Sequence, residues 1–193
     1  MARGFSQEEK EKIKANLYME CEKSWVSNGY RKTNIDQLCS KVGISKGAFY
    51  LFFDSKEDLF ADVMDKVQDR MITHMNKAIA KFPDKKGFIE GFKLLYQEYD
   101  QGNWIRTLSG DDFQSLLNRL PEDRLMIHNA QYTMDKLGEI IEKNNLICKE
   151  PLPKIIGILS TLLAISAQKE AIAYDEEEVL DFLLEHIIDG LFE

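Results

Sequence analysis

Cysteine is scarce in this 193-residue chain: Cys21, Cys39 and Cys148 are far apart and odd in number. They offer no disulfide framework and no CxxC pair for zinc, so a reducing cytoplasm is the simplest expected home. Histidine is as sparse. His74, His128 and His186 are widely separated, and neither HExxH, GxSxG nor a glycine-rich phosphate loop after a strand occurs. Catalysis therefore has no constellation to run on, and neither metal nor cofactor is expected. The seven methionines are unclustered, which excludes a soft-metal site. The acidic groups Asp111-Asp112 and Glu176-Glu177-Glu178 read more simply as acidic starts of helices than as ligands. With only 4 Pro and 11 Gly beside 44% hydrophobic and 30% charged residues, the composition is that of a soluble all-α protein. No uninterrupted apolar run reaches the roughly 18 residues of a membrane span. The opening MARGFSQEEKEKIK is polar and charged, so neither export nor insertion is expected.

What the chain does have is concentrated between Thr33 and Leu59, TNIDQLCSKVGISKGAFYLFFDSKEDL. Ile35, Leu38, Cys39 and Val42 follow the i, i+3, i+4, i+7 rule of a helix with one apolar stripe. Gly43 supplies a sharp turn, and Ser45 is placed to cap a second short helix that opens with Lys46, Gly47 and Ala48. Two short helices joined by a glycine turn make a helix-turn-helix, whose small, basic leading surface suits a major groove.

The net charge of −8 argues against DNA only until its distribution is counted. Residues 1–56 hold ten Lys and Arg against seven Asp and Glu, a surplus of +3, while the remainder holds 15 against 26, or −11. Phosphate binding needs only a local positive surface, and an acidic remainder keeps the protein soluble and off nonspecific DNA. The expected organisation is a helix-turn-helix domain over 1–56 and a helical ligand-binding and dimerisation domain over 57–193.

The first helix is expected from a Ser6/Glu9 capping box to an Asn28-Gly29 stop, with Ile13, Leu17, Cys21 and Trp25 as its buried stripe. Thr33 is placed to cap the second helix, with Asp36 three residues on. Ser55 and Asp58 repeat that pattern at the start of a long helix that carries Leu59, Val63, Val67 and Met71 and runs to about Phe82-Pro83. Further helices are expected near 87–101, 110–119, 122–145, 152–172 and 176–192, with Asp100–Asp112 the least regular stretch.

Residues 6–60 resemble the DNA-binding domain of the TetR/AcrR family of transcriptional regulators. The likeness rests on Gly29-Tyr30, Thr33, Ile35, Val42 through Gly47, Phe49-Tyr50, Phe53 and Ser55 through Leu59. It implies an all-α fold, a helix-turn-helix head followed by a helical bundle, and a ligand-responsive regulator, most simply a repressor. Read beside that pattern, Lys46 leads the reading helix toward a guanine edge or a phosphate, and Gly47 admits close backbone approach. Tyr50 stacks or hydrogen-bonds at the DNA backbone. Thr33 and Lys56 are placed to clamp phosphates, and Asn34 to touch a base edge or a phosphate. Phe49 and Phe53, four residues apart, read as core anchors. The chain departs from the family pattern at Ala48 and Phe52, where a hydroxyl or imidazole often contacts phosphate. With Leu51, that apolar face suits a thymine methyl, rests partly against protein, or weakens DNA binding.

For the remainder, the resemblance implies an effector pocket inside the bundle and a homodimer built by the last two long helices. The residues support this independently. Apolar side chains cover almost all sides of IIGILSTLLAI (155–165), and small Gly157, Ser160, Ala164 and Ala167 allow close helix approach. Val179, Leu180, Phe182, Leu183, Leu184, Ile187, Ile188, Leu191 and Phe192 give the last helix the same excess. A two-fold dimer sets its reading helices one DNA turn apart, which calls for a palindromic operator. The pocket candidates are Phe92, Tyr96, Trp104, Phe113, His128, Tyr132 and Met134. They suit an apolar or aromatic small-molecule effector, with a cation favoured by Glu98 and Asp112. The alternative is a helical DNA-organising or protein-interaction module that senses no small molecule.

Overall fold

The computed structural model describes residues 5–101, 111–125, 130–166 and 174–193. In chain order its described helices are α1 (Gln7–Lys32), α2 (Ile35–Val42), α3 (Lys46–Phe49), α4 (Lys56–Lys81) and α5 (Lys85–Gln101), then α6 (Asp111–Leu117), α7 (Glu122–Leu125), α8 (Ala130–Lys143), α9 (Leu152–Ser166) and α10 (Glu176–Leu191). Among the described residues there is no strand, only an isolated antiparallel bridge between Cys148 and Phe192. Of the stretches expected at 122–145 and 152–172, residues 122–125, 130–143 and 152–166 are helical and 144–145 form a turn, while most of Asp100–Asp112 lies outside the described residues.

Two compact units form, Met1–Val67 with Thr107–Leu125 and Gln68–Arg106 with Met126–Glu193. A boundary at 56/57 therefore falls inside the first unit. The reason is α4, whose opening turns bury Leu59, Phe60 and Val63 in the core of the first unit.

In the first unit, α1 starts as its capping box dictates: the Ser6 amide donates to Glu9 Oε2 at 2.7 Å and the Glu9 amide to Ser6 Oγ at 3.2 Å. Its regular helical backbone ends at Asn28-Gly29, as expected. The helix breaks at Gly29, which takes φ 79°, ψ 173°, and resumes for one turn to Lys32. That backbone region is open essentially to glycine alone. The break strips the amides of Tyr30 and Arg31 of helical acceptors, and Asp112 of α6 takes both, at 2.5 and 3.0 Å. Asp112 thus caps a broken helix 82 residues away rather than the start of its own.

The cap of α2 is Asn34, whose side chain accepts from the Asp36 amide at 2.7 Å, and not Thr33, which ends α1. Gly43 closes α2 in the left-handed conformation, φ 77°, ψ 33°. Ser45 then caps α3 through the Ala48 amide. Phe49 and Phe53 are fully buried. Burying each contributes about 1.5–3 kcal/mol, and the helical period turns Lys46 and Gly47 outward in consequence.

In the second unit Phe88 and Phe92 of α5, Ile140 of α8, Ile155 and Leu159 of α9 and Leu184 and Ile188 of α10 share one core. Asp84 caps α5 through the Gly87 amide, and Asp175 caps α10 through that of Glu178. The bridge at Cys148 is held by the Lys149 amide on Leu191 O at 2.8 Å and the Glu193 amide on Ile147 O at 2.9 Å.

Two stability predictions follow the geometry of the first unit. A Cβ at Gly29 would lie 2.5 Å from Asp112 Oδ2, so Gly29→Ala combines backbone strain with loss of the cap. We expect it to cost about 1–3 kcal/mol, several degrees of melting temperature; a wild-type melting curve would refute this account. The second concerns pH. Burial raises the Asp62 carboxyl, but Arg124 and the Tyr18 hydroxyl outweigh it and hold it below the usual range. Burial likewise raises Glu57, and the Tyr30 hydroxyl, its own amide, Lys56 and Arg119 bring it down. A depressed carboxyl stabilises above its unfolded value, about 3.9 for Asp and 4.3 for Glu, and that contribution is lost as pH falls through the folded value. Melting temperature should drop below about pH 4, with a shallower acid limb in Asp62→Asn.

Candidate nucleic-acid interface

The outward surface of α3 begins with Lys46, whose ammonium is 3.0 Å from Asp36 Oδ2 of α2. The hydrogen bond it donates to Asp36 raises the Lys46 pKa, so the side chain is charged throughout the physiological range. Gly47 is exposed, and a Cβ there would meet only Ser45 Oγ, at an ordinary 3.9 Å. Nothing inside the chain demands a glycine at that position. Tyr50 stands 49% and Leu51 70% exposed just past the end of α3. Phe52 sits half-buried with its ring 6.1 Å from that of Phe5, so of the uses open to it, it rests partly against protein. Asn34 is exposed beside α2, its carbonyl oxygen held by the Asp36 amide.

Thr33 and Lys56 behave otherwise than as phosphate clamps. Thr33 is 2% exposed; its hydroxyl donates to Gly29 O at 2.8 Å and pairs with Ser24 Oγ at 3.0 Å. The Lys56 ammonium donates to Tyr30 O at 3.0 Å and Thr33 O at 3.2 Å and lies 4.1 Å over the Tyr30 ring. Burial lowers its pKa. Both residues add side-chain donors to carbonyls at the end of α1, where Asp112 takes the amides left by the break. Tyr30 itself is pushed up to about 12 by burial and by its bond to Glu57.

Sequence reasoning missed the neighbours of this corner. Arg31, Lys56 and Arg119 line a polar cleft with Ser115 and Asn118, and the Arg31 and Arg119 side chains are 59% and 67% exposed. Arg31 donates to Ser115 and stands 3.8 Å from Asp112. The only sequence signal was the basic pair Arg31-Lys32 beside the motif; α6 gave none.

The second unit holds an apolar cleft of about 310 Å³ between the later turns of α4, α5, α8 and α9. Of the pocket candidates, Phe92 lines it, and Tyr96 is 7% exposed in the surrounding core. Phe113 is elsewhere. It belongs to the first unit, with its ring stacked 6.4 Å from that of Trp25, because α6 is drawn to α1. Met134 is half-buried on α8. Trp104 and His128, the side chain of Tyr132, Ala167 and the side chain of Ala164 lie outside the described residues. Glu98 is held by Arg70 Nε at 2.6 Å, with His74 at 3.5 Å, and Asp112 is in the first unit. The cleft residues Met71, Met75, Ile140 and Leu159 carried only an ordinary helical core pattern in the sequence.

On α9 the buried side carries Ile155, Leu159 and Leu162, while Gly157, Ser160 and Thr161 are exposed. Most apolar residues of α10 serve their own unit's core; Phe182 is the exception, 61% exposed and 4.1 Å from the His186 ring.

Residues 22–63 match the family model for bacterial regulatory proteins of the tetR family. Over 53 residues the chain is 34% identical to the uncharacterized HTH-type transcriptional regulator YuxN of Bacillus subtilis (strain 168), an alignment covering 28% of this chain but only 18% of that protein. Over 154 residues it is 25% identical to the nucleoid occlusion factor SlmA of Salmonella typhi, covering 69% of this chain and 74% of that one. The fold of a TetR family transcription regulator from Marinobacter aquaeolei VT8 superposes with a TM-score of 0.67 at 12% identity, over 97% of this chain and 100% of that one. The helix-turn-helix sequence and the whole-chain fold agree: residues 22–63 carry the sequence of the tetR family model of bacterial regulatory proteins, and the chain has the fold of solved TetR-family structures.

Proposed function

We propose that the protein is a ligand-responsive repressor that binds a palindromic operator as a homodimer and releases it when a small, largely apolar effector enters the cleft of the second unit. The observation that carries this reading is α4. One unbroken helix supplies Leu59 and Val63 to the core of the reading head and Met71 and Met75 to the effector cleft. An effector that binds one setting of this helix better than another biases the separation of two paired heads, with a typical coupling of about 1–3 kcal/mol. Lys46, Gly47, Tyr50 and Leu51 meet the groove. Arg31 and Arg119, exposed beside the internally engaged Lys56, take the phosphate contacts first assigned to Thr33 and Lys56. The setting is the cytoplasm, where operator DNA lies; no described helix is long and apolar enough to cross a membrane.

A second copy is favoured by the exposed Gly157 and Thr161 of α9 and by Phe182 of α10. Small residues admit a partner helix closely, and an exposed aromatic is a typical interface anchor. Similarity to a nucleoid occlusion factor favours one other reading, a DNA-organising factor without an effector. Loss of DNA binding on addition of any compound that also raises the melting temperature separates the two.

The assignment of the groove surface is tested by fluorescence anisotropy on DNA from upstream of the gene. Lys46→Ala and Tyr50→Ala should each weaken binding about tenfold with unchanged helicity and a steep salt dependence. Gly47→Ala should move the two readouts apart, stabilising the free protein by up to about 1 kcal/mol while weakening DNA binding. Wild-type affinity in all three variants would overturn the assignment. Phe182→Glu should shift the sedimentation of the protein from dimer to monomer; a persistent dimer would remove Phe182 from the interface.

A further inference from the structure

Resting on the reading of the second unit as the effector site, we propose that the effector is a linear aliphatic monoanion, its chain in the cleft and its carboxylate on Lys136. The lining is aliphatic and adaptable. Met71, Met75, Leu95, Ile140 and Leu159 surround the space, with Phe92 the one aromatic ring among the described lining residues. Thioether side chains re-pack around a flexible chain, whereas a flat aromatic guest calls for facing rings. A volume of about 310 Å³ is at the small end of ligand pockets. It suits an acyl chain of medium length better than a polycyclic molecule.

The head group follows from charge. Three polar residues line the cleft, Gln68, Lys136 and Ser160, and among the described lining residues Lys136 alone is charged. A cationic guest would meet a like charge. The carboxylates that suggested a cation are engaged elsewhere, Glu98 on Arg70 and Asp112 on the Tyr30 and Arg31 amides of the first unit. Lys136 pairs with Glu139 one turn along α8, at 2.9 Å, with side chains 35% and 64% exposed. An exposed i, i+3 pair of this kind is weak, so a carboxylate arriving with its chain already buried replaces Glu139 readily. The lysine stem then lies along apolar surface and its ammonium stays at the water boundary.

The test is calorimetric titration of the full chain with three probes of equal chain length: decanoate, decanol and decyltrimethylammonium. Decanoate should bind at least tenfold more tightly than the ammonium compound. Lys136→Gln should weaken decanoate about tenfold and leave decanol unchanged, and Lys136→Arg should restore the preference. Equal or tighter binding of the ammonium compound, undiminished decanoate binding in Lys136→Gln, or no decanoate binding would each overturn the proposal. Operator release is measured separately. Decanoate that binds without releasing DNA supports the ligand class and refutes effector sensing. Release by the ammonium compound with no decanoate binding does the reverse.

Discussion

The reading head depends on one backbone event, the break of α1 at Gly29. A helix interrupted there has orphaned amides on one side and orphaned carbonyls on the other, and buried backbone groups must find partners. The amides of Tyr30 and Arg31 go to Asp112; past the break the Lys56 ammonium donates to Tyr30 O, which also accepts the Thr33 amide, and to Thr33 O. Thr33 closes the arrangement by returning its hydroxyl to Gly29 O. Four residues from α1, the turn after it, α4 and α6 thus fix the direction in which the chain leaves toward α2. The attitude of α3 follows, since α2 carries it across the Gly43 turn.

That arrangement explains why polar residues next to one another have such different fates. Thr33 and Lys56 have the chemistry of phosphate ligands, but Thr33 is buried and both side chains bond to backbone carbonyls. Lys46 has the same charge and remains at the surface, paired only with Asp36. The pairing leaves the ammonium exposed at the start of α3. Tyr50, Leu51 and the open flank of Gly47 add an exposed surface that is apolar and small.

In the second unit the same separation by burial sets an inner lining against an outer face. On α9, Ile155, Leu159 and Leu162 are buried and Gly157 and Thr161 exposed, with Ser160 at the rim of the cleft. The α10 helix is tied to α5 by Lys93 and Asp181 at 2.8 Å and by Lys85 and Asp189 at 3.0 Å. Its core side is thereby committed, and Phe182 is left for another surface.

The helices were legible from sequence because what starts and stops them is local. The Ser6/Glu9 box, the Ser55 cap and the Gly43 turn act over two to four residues, and the apolar stripe holding Leu17, Cys21 and Trp25 needs only its own period. The outward setting of Lys46 was legible too, because Phe49 and Phe53 had to go inward. What the sequence could not reveal is which polar groups the fold would use up. Asp112 is 82 residues from Tyr30, and nothing near either residue announces the other. The fates of Thr33, Lys56 and Phe113, and the extension of the first unit to α6 and α7, all depend on that distant closure. Tertiary structure decided them, because a broken helix must satisfy its hydrogen bonds with whatever the folded chain brings within reach.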